Sequence, residues 1–131
     1  MTSAYSISEL LQTAAEARRH AHAKYSNFRV GAALLANDGT VFQGCNVENA
    51  SFGLTICAER VALTAAVVTG RREFGALALV TERSAAPCGA CRQVLAEFCE
   101  DDFPIHIATA DDLNKVESLT LGGLLPNAFR F

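Results

Sequence analysis

The sequence predicts an α/β fold of three layers, in which helices cover a mixed β-sheet. Three observations support this fold. A helical apolar stripe comes first, two extended apolar segments with an Asp-Gly step between them come next, and strand-like and helix-like segments alternate after residue 50. We therefore expect an antiparallel hairpin at one side of the sheet and βαβ crossovers at the other.

Each element follows from its local pattern. The first helix has an apolar stripe that includes Leu10, Leu11 and Ala14, and Ser6 or Ser8 can cap its start. The Asp38-Gly39 step favours a tight hairpin turn, and the short apolar runs later in the chain suit buried strands. The predicted elements are helix Ser8–Tyr25, strands Phe28–Ala36 and Val41–Val47, helix Cys57–Thr69, strand Ala76–Thr81, helix Cys88–Cys99 and strand Ile105–Thr109. The tail, Ser118–Phe131, is assigned to no element.

The composition limits the class of protein. A chain of 131 residues with 50% hydrophobic side chains suits one globular domain, residues 1–131. The formal charge of −3, without a concentrated basic cluster, argues against nucleic-acid binding. The chain shows neither an apolar run of the roughly 18 residues that span a bilayer nor a signal-peptide pattern. We therefore expect a cytoplasmic protein without a membrane partner.

The five cysteines are an odd number, and in a reducing compartment they indicate metal binding or burial rather than disulfides. Cys88 and Cys91 begin one predicted helix and Cys57 begins another, so helix dipoles favour their thiolates. Three thiolates leave one tetrahedral position open, as in a catalytic zinc site. A Cys-x-x-Cys pair by itself could equally be a redox pair or half of a structural zinc site.

Glu59 changes that balance, because it lies two residues beyond Cys57 and could move protons for a water at the open position. A surface glutamate is the alternative. The combination Cys57-Ala58-Glu59 with Pro87-Cys88-Gly89-Ala90-Cys91 is the known mark of zinc deaminases. It indicates a hydrolytic deaminase with Glu59 as the catalytic acid and base.

The sequence also closely resembles the small cytidine deaminases over most of its length. The resemblance rests on four segments in the family's order: FRVGAALL at Phe28–Leu35, GCNVENASF at Gly44–Phe52, CAER at Cys57–Arg60 and PCGACRQVL at Pro87–Leu95. It implies a three-layer α/β/α domain with a mixed five-stranded sheet. It also implies one Zn²⁺ per subunit and hydrolysis of cytidine and deoxycytidine to uridine, deoxyuridine and ammonia, within pyrimidine salvage.

The resemblance assigns the substrate residues. Asn46 and Glu48 would bind the ribose, although without the resemblance they would be interpreted as turn and surface residues. Phe28 would line the pyrimidine pocket and Ala58 would also contact the substrate. Phe129 matches a family aromatic that enters a neighbouring subunit's site, which implies a homotetramer with shared active sites.

Two further points concern the resemblance. Arg60 would donate hydrogen bonds to the ligand sulfurs and withdraw negative charge from the three thiolates, whereas a surface arginine is the alternative. The ligand set of three cysteines resembles the tetrameric branch of the family. Phe52 departs from the tyrosine of many relatives, so the hydrogen bond of that hydroxyl is missing and altered substrate affinity is expected.

Three rival functions remain at this point. A deaminase of a cytosine-containing antibiotic would share the zinc motif, and a nucleic-acid deaminase would require a basic channel. A noncatalytic zinc module would need Cys45 or Cys99 as a fourth ligand. Both of these cysteines are expected to be buried thiols, and the three histidines receive no catalytic role.

Overall fold

The computed structural model describes residues 4–131. These residues form five strands in the order β2-β1-β3-β4-β5. The elements along the chain are α1 Ile7–Arg18, β1 Gly31–Ala36, β2 Val41–Cys45, a 3-10 turn Phe52–Leu54, α2 Ala58–Val68, β3 Phe74–Thr81, α3 Gly89–Phe98, β4 Pro104–Thr109, β5 Asp112–Thr120 and α4 Leu121–Leu124.

The sheet is mixed, as predicted. The hairpin β1–β2 lies at one side, and β1 also pairs antiparallel with β3. Strands β2 and β3 therefore run in the same direction on either side of β1, so β2-α2-β3 is one crossover, and the parallel pair of β3-α3-β4 is the other. At the far edge β5 pairs antiparallel with β4. The local pattern does not predict β5 because most of its residues are exposed and polar.

The layers are held by two apolar clusters on opposite faces of the sheet. The first joins α2 and α3 to one face through residues such as Leu63, Leu79 and Leu95. The second joins α1 to the other face and includes Leu10 and Ala78. The three-layer prediction is therefore confirmed. Among residues 4–131, every helix is too short or too polar to span a bilayer.

Glycines allow two helices to pack unusually close to the sheet. A Cβ atom at Gly44 in β2 would lie 2.2 Å from the backbone oxygen of Ala58, the first residue of α2. A Cβ atom at Gly31 in β1 would lie 1.9 Å from the oxygen of Ala14 in α1. Any larger residue would force these backbones apart. The contact at Gly44 thus sets the position of the α2 N-terminus.

The segment between α1 and β1 corrects two predicted boundaries. The helix ends at Arg18 rather than Tyr25, and the first strand begins at Gly31 rather than Phe28. Residues 19–30 form a loop because the backbone of His22 bonds to Asn46 and Glu48 beyond the end of β2. The loop also contains Asn27 in a left-handed conformation, with φ of 58°. A continuous helix could not make these bonds.

Candidate metal centre and active site

Three thiols meet where two helices begin. Cys57 is the N-cap residue of α2, Cys88 is the N-cap residue of α3, and Cys91 lies in the first turn of α3. Their sulfur atoms all lie within 4.8 Å of one another. The Sγ atoms are 3.8 Å apart for Cys57 and Cys88, and 3.4 Å apart for Cys88 and Cys91. The predicted convergence of two helix N-termini on one point is confirmed.

The spacing of the thiols fits a zinc ion. Ligands about 2.3 Å from zinc at the corners of a tetrahedron lie about 3.8 Å apart. The measured separations of 3.4 and 3.8 Å agree with such an edge. Cys45 and Cys99 are outside this group, at the end of β2 and the end of α3. The three cysteines can therefore hold zinc and leave its fourth position to water or substrate.

Arg60 lies directly beside the thiols. Its guanidinium donates a hydrogen bond to Cys57 Sγ over 3.4 Å. The hydrogen bond from Cys91, with further contributions from Arg60, lowers the pKa of Cys57 to about 5. The same contact raises the pKa of Cys91, and the hydrogen bonds to Cys57 and Cys91 raise the pKa of Arg60. The arginine thus offsets the charge of a thiolate, as a neighbour of metal ligands does.

Glu59 is the second residue of α2, and only 6% of it is exposed. Burial is the main cause that raises the pKa of its carboxyl to about 7, and the charge of Cys57 adds to the effect. The surface alternative for Glu59 is therefore excluded. A buried carboxyl beside thiols is suited to proton transfer near neutral pH.

A cavity of about 250 Å³ connects Glu59 and the thiols to the predicted substrate residues. Its walls contain the predicted residues Phe28, Asn46, Glu48, Cys57, Ala58, Glu59 and Cys88. Ser26, Thr55 and Thr81 also line it, and they are new to the site. The mixture of apolar walls with a few polar groups is typical of a small-molecule pocket.

Asn46 and Glu48 have different surroundings in this cavity. The Asn46 amide is buried and bridges the loop, since Oδ1 accepts from Val30 N–H over 2.9 Å and Nδ2 donates to the Phe28 carbonyl over 2.8 Å. Glu48 is half-buried and accepts hydrogen bonds from the backbone of Tyr25 and from Ser26. Those bonds, above all from Ser26, lower the pKa of the Glu48 carboxyl. Glu48 is thus held as a carboxylate facing the cavity.

The two predicted aromatic residues, Phe28 and Phe129, lie in different surroundings. The ring of Phe28 lies in the cavity wall, and the guanidinium carbon of Arg83 is 5.1 Å from its centre. Phe129 does not line the cavity of its own chain; 67% of it is exposed and it packs edge-on against Phe131. The structure therefore brings together every predicted site residue except Phe129. No pattern around Ser26 or Arg83 indicates a role, because only folding brings them to the site.

The comparisons with known proteins agree with this geometry. Residues 5–107 match the family described as the cytidine and deoxycytidylate deaminase zinc-binding region. The cytidine deaminase of Sporosarcina psychrophila is 47% identical over 94% of this chain and 90% of its own length. That of Halalkalibacterium halodurans is 48% identical over 92% of this chain and 91% of its own.

Solved structures give the same result. The crystal structure of a cytidine deaminase from Burkholderia pseudomallei superposes with a TM-score of 0.90 at 48% identity, and the match covers 95% of this chain and 100% of the other. That of Mycobacterium tuberculosis superposes with a TM-score of 0.83 at 40% identity, over 98% and 100% of the two chains. A family match across three-quarters of the sequence, with relatives nearly half identical, leads to one conclusion: the chain belongs to the zinc-binding cytidine and deoxycytidylate deaminase family.

Proposed function

We propose that this chain hydrolyses cytidine and deoxycytidine to uridine and deoxyuridine with release of ammonia. One observation carries the proposal: the buried carboxyl of Glu59 and two thiols of the metal site share a cavity wall with Asn46, Glu48 and Phe28. The reacting groups and the groups that select a nucleoside therefore face the same space. The names of the two cytidine deaminases compared above support the same substrate class.

At the reacting end of the cavity, some residues hold the metal and another transfers protons. Cys57, Cys88 and Cys91 would hold zinc, which when bound supplies the Lewis acidity that activates water. Glu59 accepts a proton from the attacking water as it adds to C4 of the pyrimidine. Glu59 delivers that proton to N3, then accepts the proton of the new hydroxyl on C4 and passes it to the departing amine, so that the C4–N bond breaks, the C4 carbonyl forms and ammonia leaves. Arg60 holds the Cys57 thiolate in place through its hydrogen bond.

The other end of the cavity selects the nucleoside. The Asn46 amide uses one acceptor site and one N–H on the backbone, which leaves one of each for a sugar hydroxyl. Glu48 accepts a hydrogen bond from a second sugar hydroxyl. Its hydrogen bonds from Ser26 and Tyr25 fix the orientation of the carboxylate. Phe28 packs against the flat base. Ala58, the first residue of α2, lines the cavity with a small side chain. A free base leaves the polar groups unpaired, so cytosine should be a poor substrate.

Ultraviolet absorbance tests the proposal with four substrates: cytidine, deoxycytidine, cytosine and a single-stranded oligonucleotide at low salt. Zinc analysis of the same sample establishes the metal content. We expect loss of cytidine and deoxycytidine absorbance by zinc-loaded protein, with little change for cytosine and the oligonucleotide. Zinc-loaded protein that leaves both nucleosides intact would indicate a noncatalytic module and refute the proposal.

The chain is also proposed to act as a homotetramer in which Phe129 enters a neighbouring subunit's site. Its ring is exposed and outside its own cavity, and Gln93 fixes its backbone through a hydrogen bond of 3.0 Å. Co-expression of Phe129→Ala with Glu59→Gln tests the sharing. Mixed tetramers contain sites with both native residues, so activity should exceed that of either variant alone. Activity no higher than the sum of the separate variants would contradict a shared site.

Finally, the proposal places the enzyme in the cytoplasm, within pyrimidine salvage. All five cysteines are free thiols, which suits a reducing compartment. The expected phenotype is growth of a pyrimidine auxotroph on cytidine when it expresses this chain. Expression of Glu59→Gln is the matched control, and growth with the variant equal to that with the native chain would contradict the assignment.

A further inference from the structure

Two loops form opposite sides of the nucleoside cavity. The first, residues 19–30, is called the Phe28 loop and contributes Ser26 and Phe28 to the wall. The second, residues 82–88 between β3 and α3, is called the Glu82 loop and contributes Ala85 and Ala86. The width of the cavity therefore depends on the distance between two segments that regular secondary structure does not hold.

Arg18 reaches both loops from outside the cavity. It is the last residue of α1, and its side chain is 18% exposed. Its Nε donates a hydrogen bond of 3.0 Å to the carbonyl of Arg29, next to Phe28. Its terminal nitrogen lies 3.2 Å from the carboxylate of Glu82, the first residue of the other loop. The planar guanidinium can serve both partners at once, which a lysine cannot do in the same way.

The backbone of Arg18 is itself firmly placed. A Cβ atom at Gly31 would lie 2.6 Å from Arg18 N, so the last turn of α1 packs directly on the start of β1. The side chain consequently extends from a fixed point to two loops, whose backbones have fewer hydrogen-bond restraints than those of helices or strands. This arrangement suits a brace between loops better than a helix-surface charge.

A second contact joins the same loops. The guanidinium carbon of Arg83 lies 5.1 Å from the centre of the Phe28 ring, within the range of a cation–π interaction. The hydroxyl of the buried residue Thr81 donates a hydrogen bond to the Arg83 carbonyl and ties that loop to the end of β3. Arg83 therefore restrains the ring of Phe28, and Arg18 restrains the carbonyl of the next residue, Arg29.

From these contacts we propose that Arg18 is a positioning residue that sets the spacing of the two loops and thereby the affinity for the pyrimidine nucleoside. Arg18 does not line the cavity and touches no reacting group. It acts on Phe28 through Arg29 and on the approach to Cys88 through Glu82. The inference rests on the proposed function, because it concerns the substrate of that site.

The test compares Arg18→Met with Arg19→Met in the zinc-loaded protein. Methionine keeps much of the apolar stem and removes the donors. Loss of charge-assisted hydrogen bonds should raise both KM for cytidine and Kd for uridine, measured by calorimetry, about tenfold, with kcat nearly unchanged. Arg19, the first residue after α1, is an exposed neighbour of the same charge that does not line the cavity, so its variant should keep native values. Arg18→Lys should fall between Arg18→Met and the native protein.

Other outcomes separate this inference from the proposed function. A native KM and Kd in Arg18→Met, or a fall in kcat alone, would overturn the positioning role. An equal effect in Arg19→Met would show a general effect of charge and would also overturn it. If Arg18→Met does not fold, Glu82→Gln replaces it, because this substitution removes only the ion pair with Arg18. It should raise KM for cytidine severalfold. An unchanged KM would count against the positioning role of Arg18. Native protein that binds uridine but does not deaminate cytidine would refute the proposed function instead.

Discussion

Glu59 and His106 are both buried titratable residues, but they lie on opposite faces of the sheet. His106 in β4 lies on the α1 side, where its Nε2 is 2.8 Å from the Tyr5 hydroxyl and its Nδ1 is 2.7 Å from Ser118 Oγ. Glu59 lies at the start of α2 and faces the cavity beside the thiols. Burial lowers the pKa of His106 and raises that of Glu59 to about 7.

The comparison shows that burial alone does not identify a functional group. Both residues are disfavoured in their charged forms by loss of water. The two ring nitrogens of His106 already have partners within the chain, so the residue completes a structural network. Glu59 instead borders open space large enough for a substrate. We therefore expect substitution of Glu59 to lower turnover and substitution of His106 to lower the stability of the fold.

The largest effect is expected from Glu59→Gln. Loss of acid and base catalysis should lower kcat by about 10²–10⁴-fold, while zinc content and the free energy of unfolding stay close to native. Steady-state kinetics, zinc analysis and urea denaturation of one preparation provide the three measurements. Turnover near the native rate would contradict the catalytic role of Glu59.

The next effect concerns Arg60→Gln. Removal of the guanidinium beside Cys57 should weaken zinc binding about 10–100-fold, because neighbours of metal ligands have effects of this size. Competition with a chelator at several concentrations measures the affinity. Glu59→Gln is the matched control, since it is adjacent in sequence and should retain zinc. Native affinity in Arg60→Gln would show that the arginine does not support the ligands.

His106→Phe is the converse experiment to Glu59→Gln. The substitution keeps a ring in β4 but leaves Tyr5 and Ser118 without their partner. The expected cost is about 1–3 kcal/mol in the free energy of unfolding, with kcat and KM unchanged. Urea denaturation and cytidine kinetics decide between the outcomes. A large loss of kcat at native stability would mean that His106 belongs to the active site.

The smallest effect is a pH dependence of stability that comes from His106. Its pKa in the folded chain is below the ordinary value of 6.5. As the pH falls below 6.5, the unfolded chain takes up a proton that the folded chain refuses, so stability declines. His106→Phe lacks this component, and its deficit relative to the native protein should shrink between pH 7 and pH 5. Urea denaturation at both pH values tests the sign, and a constant or growing deficit would contradict it.

Sequence and structure agree best where the signal is local. Cys88 and Cys91 are three residues apart at a helix start, and a single turn brings such residues together whatever the remaining fold does. The same holds for Cys57 and Glu59 at the start of α2. The predicted end of the first helix was wrong by several residues because the bonds of His22 to Asn46 and Glu48 are made between distant segments.

The sequence by itself predicted the cluster of three cysteines, the carboxyl proposed to be catalytic, the hairpin and the alternation of helices and strands. These properties depend on residue type, on spacing within one or two turns and on apolar periodicity, all of which can be read along the chain. Only the tertiary structure decided that Ser26 bonds to Glu48, that Arg18 contacts two loops and that the fifth strand implied by the family resemblance is Asp112–Thr120. Those contacts join segments far apart in sequence, and their exposed or irregular backbone has no periodic pattern from which they could be predicted.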